Sequence, residues 1–189
     1  MRLYHRHILP MFIFLFKPFH LSDPSNLSKP LHPISLYPYN PYFHVMYKQQ
    51  VQIRWADIDA NRHLRHSVYY DYGASMRMNA LTAEGLSMRK LEELRMGPIL
   101  FREEAIFKRE IHFEDEITID VHVAKAREDF ARWSLRHHFV KGDGTLAAII
   151  NIDGAWMDLL RRKLVIPNQF IIDVFGKFPK AQDFEWISR

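Results

Sequence analysis

The apolar residues of this chain change period once, near Ile99, and that change restricts the architectures open to it. From Ser67 to about Ala83 they recur at spacings of three and four, through Tyr69, Tyr72, Met76, Ala80 and Ala83. Such spacing draws one stripe along a helix. From Ile99 onward the period is two: Phe101, Ala105, Phe107 and Ile111 share a face, as do Ile117, Ile119, Val121 and Val123. Trp133, Leu135, His137 and Phe139 repeat the pattern, and Leu146 to Met157 continues it. Alternation puts these residues on one side of successive strands. One long amphipathic helix followed by four strands implies an α+β domain, with an antiparallel sheet curled around the helix. The open edges of such a sheet invite pairing with a second copy.

Local signals punctuate this plan. Gln50–Ile58 alternates, with Val51, Ile53 and Trp55 on one face, and predicts a first strand. Gly85 ends the long helix. Ser87 caps a short second helix, with Leu86 and Leu91 spaced as a hydrophobic staple, and Gly97-Pro98 stops it. Lys141-Gly-Asp-Gly144 is a hairpin turn, Arg161-Arg-Lys163 a solvated one, and Pro167 opens a short closing helix.

Residues 1–45 follow no such pattern. Seven of the ten prolines lie there, with no helical or alternating period. Proline-rich segments seldom pack, so this stretch reads as an extension outside the fold, with Met46 as the natural first residue of the domain. The alternative is an export or anchoring signal, because a basic start precedes the apolar run Ile8–Phe16. That run is interrupted by Pro10 and is far short of the roughly 20 residues of a membrane span. The domain is expected over 46–170, with 171–189 as a C-terminal extension.

Charge and cysteine content narrow the function. The net charge is +4, of which residues 1–45 carry +3. The remainder is nearly neutral and lacks the basic face that nucleic-acid backbones require. There is no cysteine, which excludes disulfides, thiolate catalysis and cysteine-bound zinc.

The chemistry gathers in Trp55–Tyr72, where a polar turn with carboxylates and imidazoles leads into the long helix. A helix start offers unpaired N–H groups and partial positive charge. An acidic group beside it can act on a carbonyl that those N–H groups polarise. Taken singly, Asp59 is a turn aspartate hydrogen-bonding its own loop, and Asp57 is a structural acceptor. His63 either orients the loop and lines a pocket or is a satisfied, half-buried histidine. His63 and His66 with Asp57 or Asp59 could ligate a metal, but the helix-start context suits an oxyanion better and no metal is expected. Glu103 stands on an apolar strand face, so it is either paired or functional across a dimer interface, or a bulge turns it outward. Arg127 and Arg132 stand at a hairpin tip; arginine forks suit phosphate, and a solvated tip is the alternative.

The pattern Trp55-x-Asp57-x-Asp59-x-x-x-His63-Leu64-x-x-x-x-Tyr69 resembles the hotdog-fold acyl-CoA thioesterases, nearest to the 4-hydroxybenzoyl-CoA thioesterase branch. The resemblance spans 46–170. It takes in the Gly97–Ile111 strand, the acidic turn Phe113-Glu-Asp-Glu116 and Pro167. It implies a cytoplasmic acyl-CoA hydrolase without cofactor, assembled as a homodimer or homotetramer. Asp59 would be nucleophile or general base, and the His66 N–H would hold the thioester oxygen. His63 would assist, while Tyr69, Glu103, Arg127 and Arg132 would contact substrate. Arg62 stands where that family often has glycine, and Arg65-His66 where it often has two asparagines. The other readings are a non-catalytic acyl-CoA-binding module, or a thioesterase or dehydratase acting on acyl-carrier-protein.

Overall fold

The computed structural model describes residues 47–188; the expectations for 1–45 fall outside the described residues. The chain forms strand β1 (Lys48–Val51), then helices α1 (His66–Ala83) and α2 (Met88–Leu94). The strands β2 (Met96–Phe107), β3 (Ile117–Asp120), β4 (His122–Ala126), β5 (Arg132–Lys141), β6 (Leu146–Asp158) and β7 (Lys163–Val165) follow. Helix α3 (Gln169–Gly176) and strand β8 (Lys180–Trp186) close it. β3 and β4 act as one strand broken at Val121, and both pair with β5. β5 pairs with β6, and β6 with β2, which forms one edge. β1 and β8 flank the other side, on β3 and β4 respectively. All pairs are antiparallel except β4 with β8.

The sheet curves around α1, which touches β1, β2, β3 and β6. Val68, Tyr69, Gly73, Met76, Ala80 and Leu81 of α1 are buried against Ile117, Ile119, Leu135, Phe139, Ile150 and Ile152 of the sheet. The helix stops as its sequence predicts, with Gly85 at φ 88°. Ala83, expected on the buried stripe, is exposed on the last turn. Ser87 caps α2 by accepting from the Lys90 N–H at 3.2 Å. α2 ends at Arg95, in the left-handed region at φ 54°, and Gly97-Pro98 lie inside β2 instead of ending the helix.

Three further departures have local causes. The first strand stops at Val51, and Trp55 opens a 3-10 turn (Trp55–Asp57) with its side chain 78% exposed. The Asp57 carboxylate accepts from the Arg54 backbone N–H at 3.2 Å and from its guanidinium, so the backbone curls instead of continuing the ladder. In β2 a bulge falls between Leu100 and Arg102. The extra residue, Phe101, drops out of register and is exposed, and the inward phase passes from Leu100 to Glu103 and Ala105. Finally, the packed unit extends beyond residue 170. Ile171, Val174, Phe175 and Phe178 are core residues, and β8 completes an edge. Asn168, rather than Pro167, caps α3, accepting from the Ile171 N–H at 3.1 Å.

One glycine is required by packing. A Cβ on Gly154 in β6 would overlap the Trp133 indole and the Ile99 carbonyl oxygen. The Trp133 indole therefore occupies the space over Gly154 and joins the aromatic cluster with Trp156 and Phe175.

Candidate active site

The polar turn is built around Asp57. Its carboxylate is 1% exposed and accepts from Arg54 Nη2 at 2.7 Å and Arg54 Nε at 2.9 Å. With the Arg54 backbone N–H already described, the Tyr72 hydroxyl adds a fourth bond at 2.7 Å. Hydrogen bonding to Arg54 is the main reason its pKa falls to about 2, against the cost of burial. Asp57 thus ties the turn to the second turn of α1, and at 1% exposure it is closed off from a metal or a substrate.

Asp59 stands two residues on. Its Oδ1 accepts from the backbone N–H of Asn61 at 2.8 Å and of His63 at 3.1 Å. The Asp59 N–H donates to the His63 carbonyl at 2.9 Å. The aspartate therefore holds its own loop, as a turn aspartate does. Its Oδ2 has no partner among the described residues, and the side chain lines two adjoining hollows of about 350 and 710 Å³. Arg62 is held at φ 67°, the backbone conformation that favours glycine.

The smaller hollow is the cleft at the start of α1. His63, Leu64, His66 and Tyr69 line one wall, and Phe107, Lys108, Arg109 and Glu110 the other. Arg65 precedes α1 without a side-chain cap, so the N–H groups of His66 and Ser67 find no acceptor among the described residues. Tyr69 is buried against Phe107 and Phe139, with ring centroids 5.0 and 5.3 Å away. Burial first, then the charges of Asp115, Asp59 and Glu110, push its hydroxyl up to about 12, so it stays a neutral donor. Asp59, His63, His66 and Tyr69 are thus brought together by the fold.

The other predicted residues are elsewhere in the chain. Glu103 faces inward and is paired: its Oε1 accepts from Arg77 Nη1 of α1 at 3.1 Å. The same Nη1 lies 3.3 Å from Nε2 of the fully buried His137. The bulge is present, but it turns Phe101 outward, not Glu103. Arg127 binds Asp129 at 2.7 Å at the opposite end of β5 from the cleft. Arg132 sits over the Phe101 ring, 4.5 Å from its centroid. The cations that line the cleft are Lys108 and Arg109, which the periodicity passed over. A basic pair just past a strand end was the available signal. The ligand group that forms at this end is His63, Glu110 and His112, whose donor atoms lie within 4.8 Å of one another; His66 and Asp59 are not part of it.

A carboxylate oxygen without a partner, free helix N–H groups and two cations at one cleft suit attack on an activated carbonyl in an anionic substrate. A family model described as the thioesterase-like superfamily matches residues 53–176. A hypothetical protein from Staphylococcus aureus, solved in complex with CoA, is 18% identical with a TM-score of 0.64, over 72% of this chain and 87% of that one. A DHNA-CoA thioesterase from Staphylococcus aureus is 15% identical with a TM-score of 0.62, over 69% and 89%. A 1,4-dihydroxy-2-naphthoyl-CoA thioesterase from Synechocystis is 15% identical with a TM-score of 0.63, over 69% and 96%. At these identities the likeness establishes the hotdog fold alone. Comparison with curated proteins gives no match.

Proposed function

Because the chain belongs to the thioesterase-like superfamily, we propose that it hydrolyses an acyl-CoA thioester to a carboxylate and free CoA. The observation that carries this reading is the shared cleft. Asp59 and the unpaired first N–H groups of α1 line one hollow of about 350 Å³. The N–H groups of His66 and Ser67 take the thioester oxygen, and their dipole stabilises the charge that develops on it. Asp59 then either attacks the carbonyl carbon to give a mixed anhydride, which water opens, or takes a proton from the attacking water. In either case the C–S bond breaks and the thiolate leaves. Thiolate is a good leaving group, so one carboxylate suffices. Tyr69 and His63 position the substrate. Lys108 and Arg109 meet the phosphates of CoA.

The site is proposed to be completed in a homodimer, or in a homotetramer built from it. Among the described residues β2 pairs only with β6, and it exposes Leu100, Phe101, Ile106 and Phe107. Two such edges paired antiparallel about a two-fold axis set the Phe101 end of one against the Phe107 end of the other. Arg132, seated on Phe101, is thereby carried toward the second copy's cleft, and the Arg127 turn with it. No helix among the described residues is long and apolar enough to cross a membrane; a cytoplasmic location belongs to this proposal.

The test is thiol release across a panel of acyl-CoA esters, comparing the parent with Asp59→Asn. The variant is expected to keep fold and CoA binding while turnover falls at least about a hundredfold. Unchanged turnover on the best substrate removes Asp59 from the mechanism. Binding without release across the panel indicates a binding module instead.

A further inference from the structure

We propose that Asp120, His122 and His138 form a binding site for a divalent transition ion of the zinc class. It lies on the face of the sheet turned away from α1. Asp120 and His122 stand two apart, on either side of the break at Val121 between β3 and β4, and both side chains lie on this face. His138 lies opposite Asp120 on β5, and its backbone N–H donates to Asp120 Oδ1 at 2.9 Å. The neighbouring His137 points the other way, into the core against α1.

Both imidazoles hold Nδ1 beside the same carboxylate oxygen. His138 Nδ1 is 2.9 Å from Asp120 Oδ1, and His122 Nδ1 is 3.4 Å from it. The three donor atoms lie within 4.8 Å of one another. Ligands bound at about 2.0–2.1 Å in a tetrahedron stand about 3.3 Å apart. The two nitrogen–carboxylate spacings are already within about half an ångström of that value, and the two imidazoles, whose donor atoms lie within 4.8 Å, would swing together to close on an ion. His138 would shift its proton from Nδ1 to Nε2.

A second observation points the same way. The His122 Nδ1 atom is buried and has no hydrogen-bond partner among the described residues. A buried polar atom without a partner is costly, and a metal would satisfy it. The groups are also held firmly. β5 is an interior strand, and Arg136, across from His122, is turned onto Asp183 at 2.7 Å, so its charge does not face the site uncompensated. Two imidazoles and one carboxylate suit zinc, leaving one position for water. The His63–Glu110–His112 group is a weaker host, since Glu110 is 65% exposed and the group belongs to the cleft already described.

The ion would have a structural effect. Val121, between the two ligands, donates to Tyr47 O beside β1, and Val123 donates to Pro179 O just before β8. The site thus fastens the seam where the two edge strands meet β3–β4, independently of the thioester chemistry.

The test uses the full chain titrated with Co2+ and then Zn2+. Histidines 5, 7, 20, 32 and 44 are also present, so the readout is the difference between parent and variants. The parent is expected to give the visible absorption of tetrahedral cobalt, displaced by one equivalent of zinc, and a thermal midpoint raised by about 5 °C with excess zinc. His122→Ala and His138→Ala should each lose that equivalent and that shift, whereas His63→Ala keeps both. Asp120→Asn, which can still accept from the His138 N–H, should weaken zinc binding at least about tenfold. Circular dichroism like the parent's shows that a variant has folded. A parent that binds no zinc, or folded His122→Ala and His138→Ala variants that bind as many ions as the parent, overturns the proposal.

Discussion

The hydroxyl of Tyr72, on the second turn of α1, donates to the buried carboxylate of Asp57 at 2.7 Å. Through this bond the helix sets the position of a turn fifteen residues earlier. The Asp57 carbonyl in turn accepts from the Arg65 N–H at 2.8 Å, so both ends of the loop that carries Asp59 are tied to one residue. Asp59 and His66 owe their relative placement to that tie.

Removing it should cost both stability and turnover. Tyr72→Phe is expected to destabilise by about 1 kcal/mol, and Asp57→Ala by about 3 kcal/mol, because the latter removes every hydrogen bond that the carboxylate makes. Urea denaturation measures both, and turnover should fall in the same order. The pH dependence has a definite sign. The folded pKa of Asp57, about 2, lies below that of an unfolded aspartate. Its stabilisation is present above about pH 4 and is lost as pH falls toward 2. Asp57→Asn should flatten that part of the acid-unfolding curve.

Arg62 occupies the left-handed region at φ 67°, in the loop that carries Asp59. A non-glycine residue there costs about 1–2 kcal/mol, part of which glycine returns as unfolded-state entropy. Arg62→Gly should therefore stabilise by about 0.5–1 kcal/mol, and Arg62→Val should destabilise by more than about 1 kcal/mol. Denaturation midpoints read both signs.

Lys108 and Arg109 line the cleft, while Arg127 is occupied with Asp129. Replacing both Lys108 and Arg109 by glutamate should raise KM for acyl-CoA about tenfold with little change in kcat. The parent's KM should rise with salt and the variant's should not. Arg127→Ala reports on assembly: a comparable rise in KM is expected only where the second copy delivers this turn to the cleft.

His137 is fully buried, and burial followed by the Arg77 charge pushes its pKa down to about 3. It stays neutral in the folded protein, whereas in the unfolded chain it protonates near 6.5. The unfolded state then binds the extra proton, so stability falls as pH drops below about 6.5 and goes on falling toward 3. Glu103→Gln would leave Arg77 without its counter-charge beside this ring and should destabilise by about 3 kcal/mol. Thermal melts at pH 7 and 5 separate the two effects, because Glu103→Gln acts at both.

The amino-acid order alone settled much of this protein. The change of period near Ile99, Gly85 after the long helix, the Ser87 cap and the Lys141–Gly144 turn are each governed by residues a few positions apart. They act through backbone geometry and local hydrogen bonds, so they can be read without knowing what lies across the core. The motif from Trp55 to Tyr69 was legible for the same reason, since one short loop and one helix start bring its members together. What depends on partners distant in the chain could not be read in this way. One extra residue at Phe101 reverses the phase of β2, and only the register against β6 reveals it. Lys108 and Arg109 meet Asp59 because the end of β2 runs back beside the start of α1. The tail after residue 170 joins the sheet because β4 offers an open edge and the core an apolar gap for Phe175. Pairing register and cross-core packing carry the energy of these choices, and they exist only once the chain has folded back on itself.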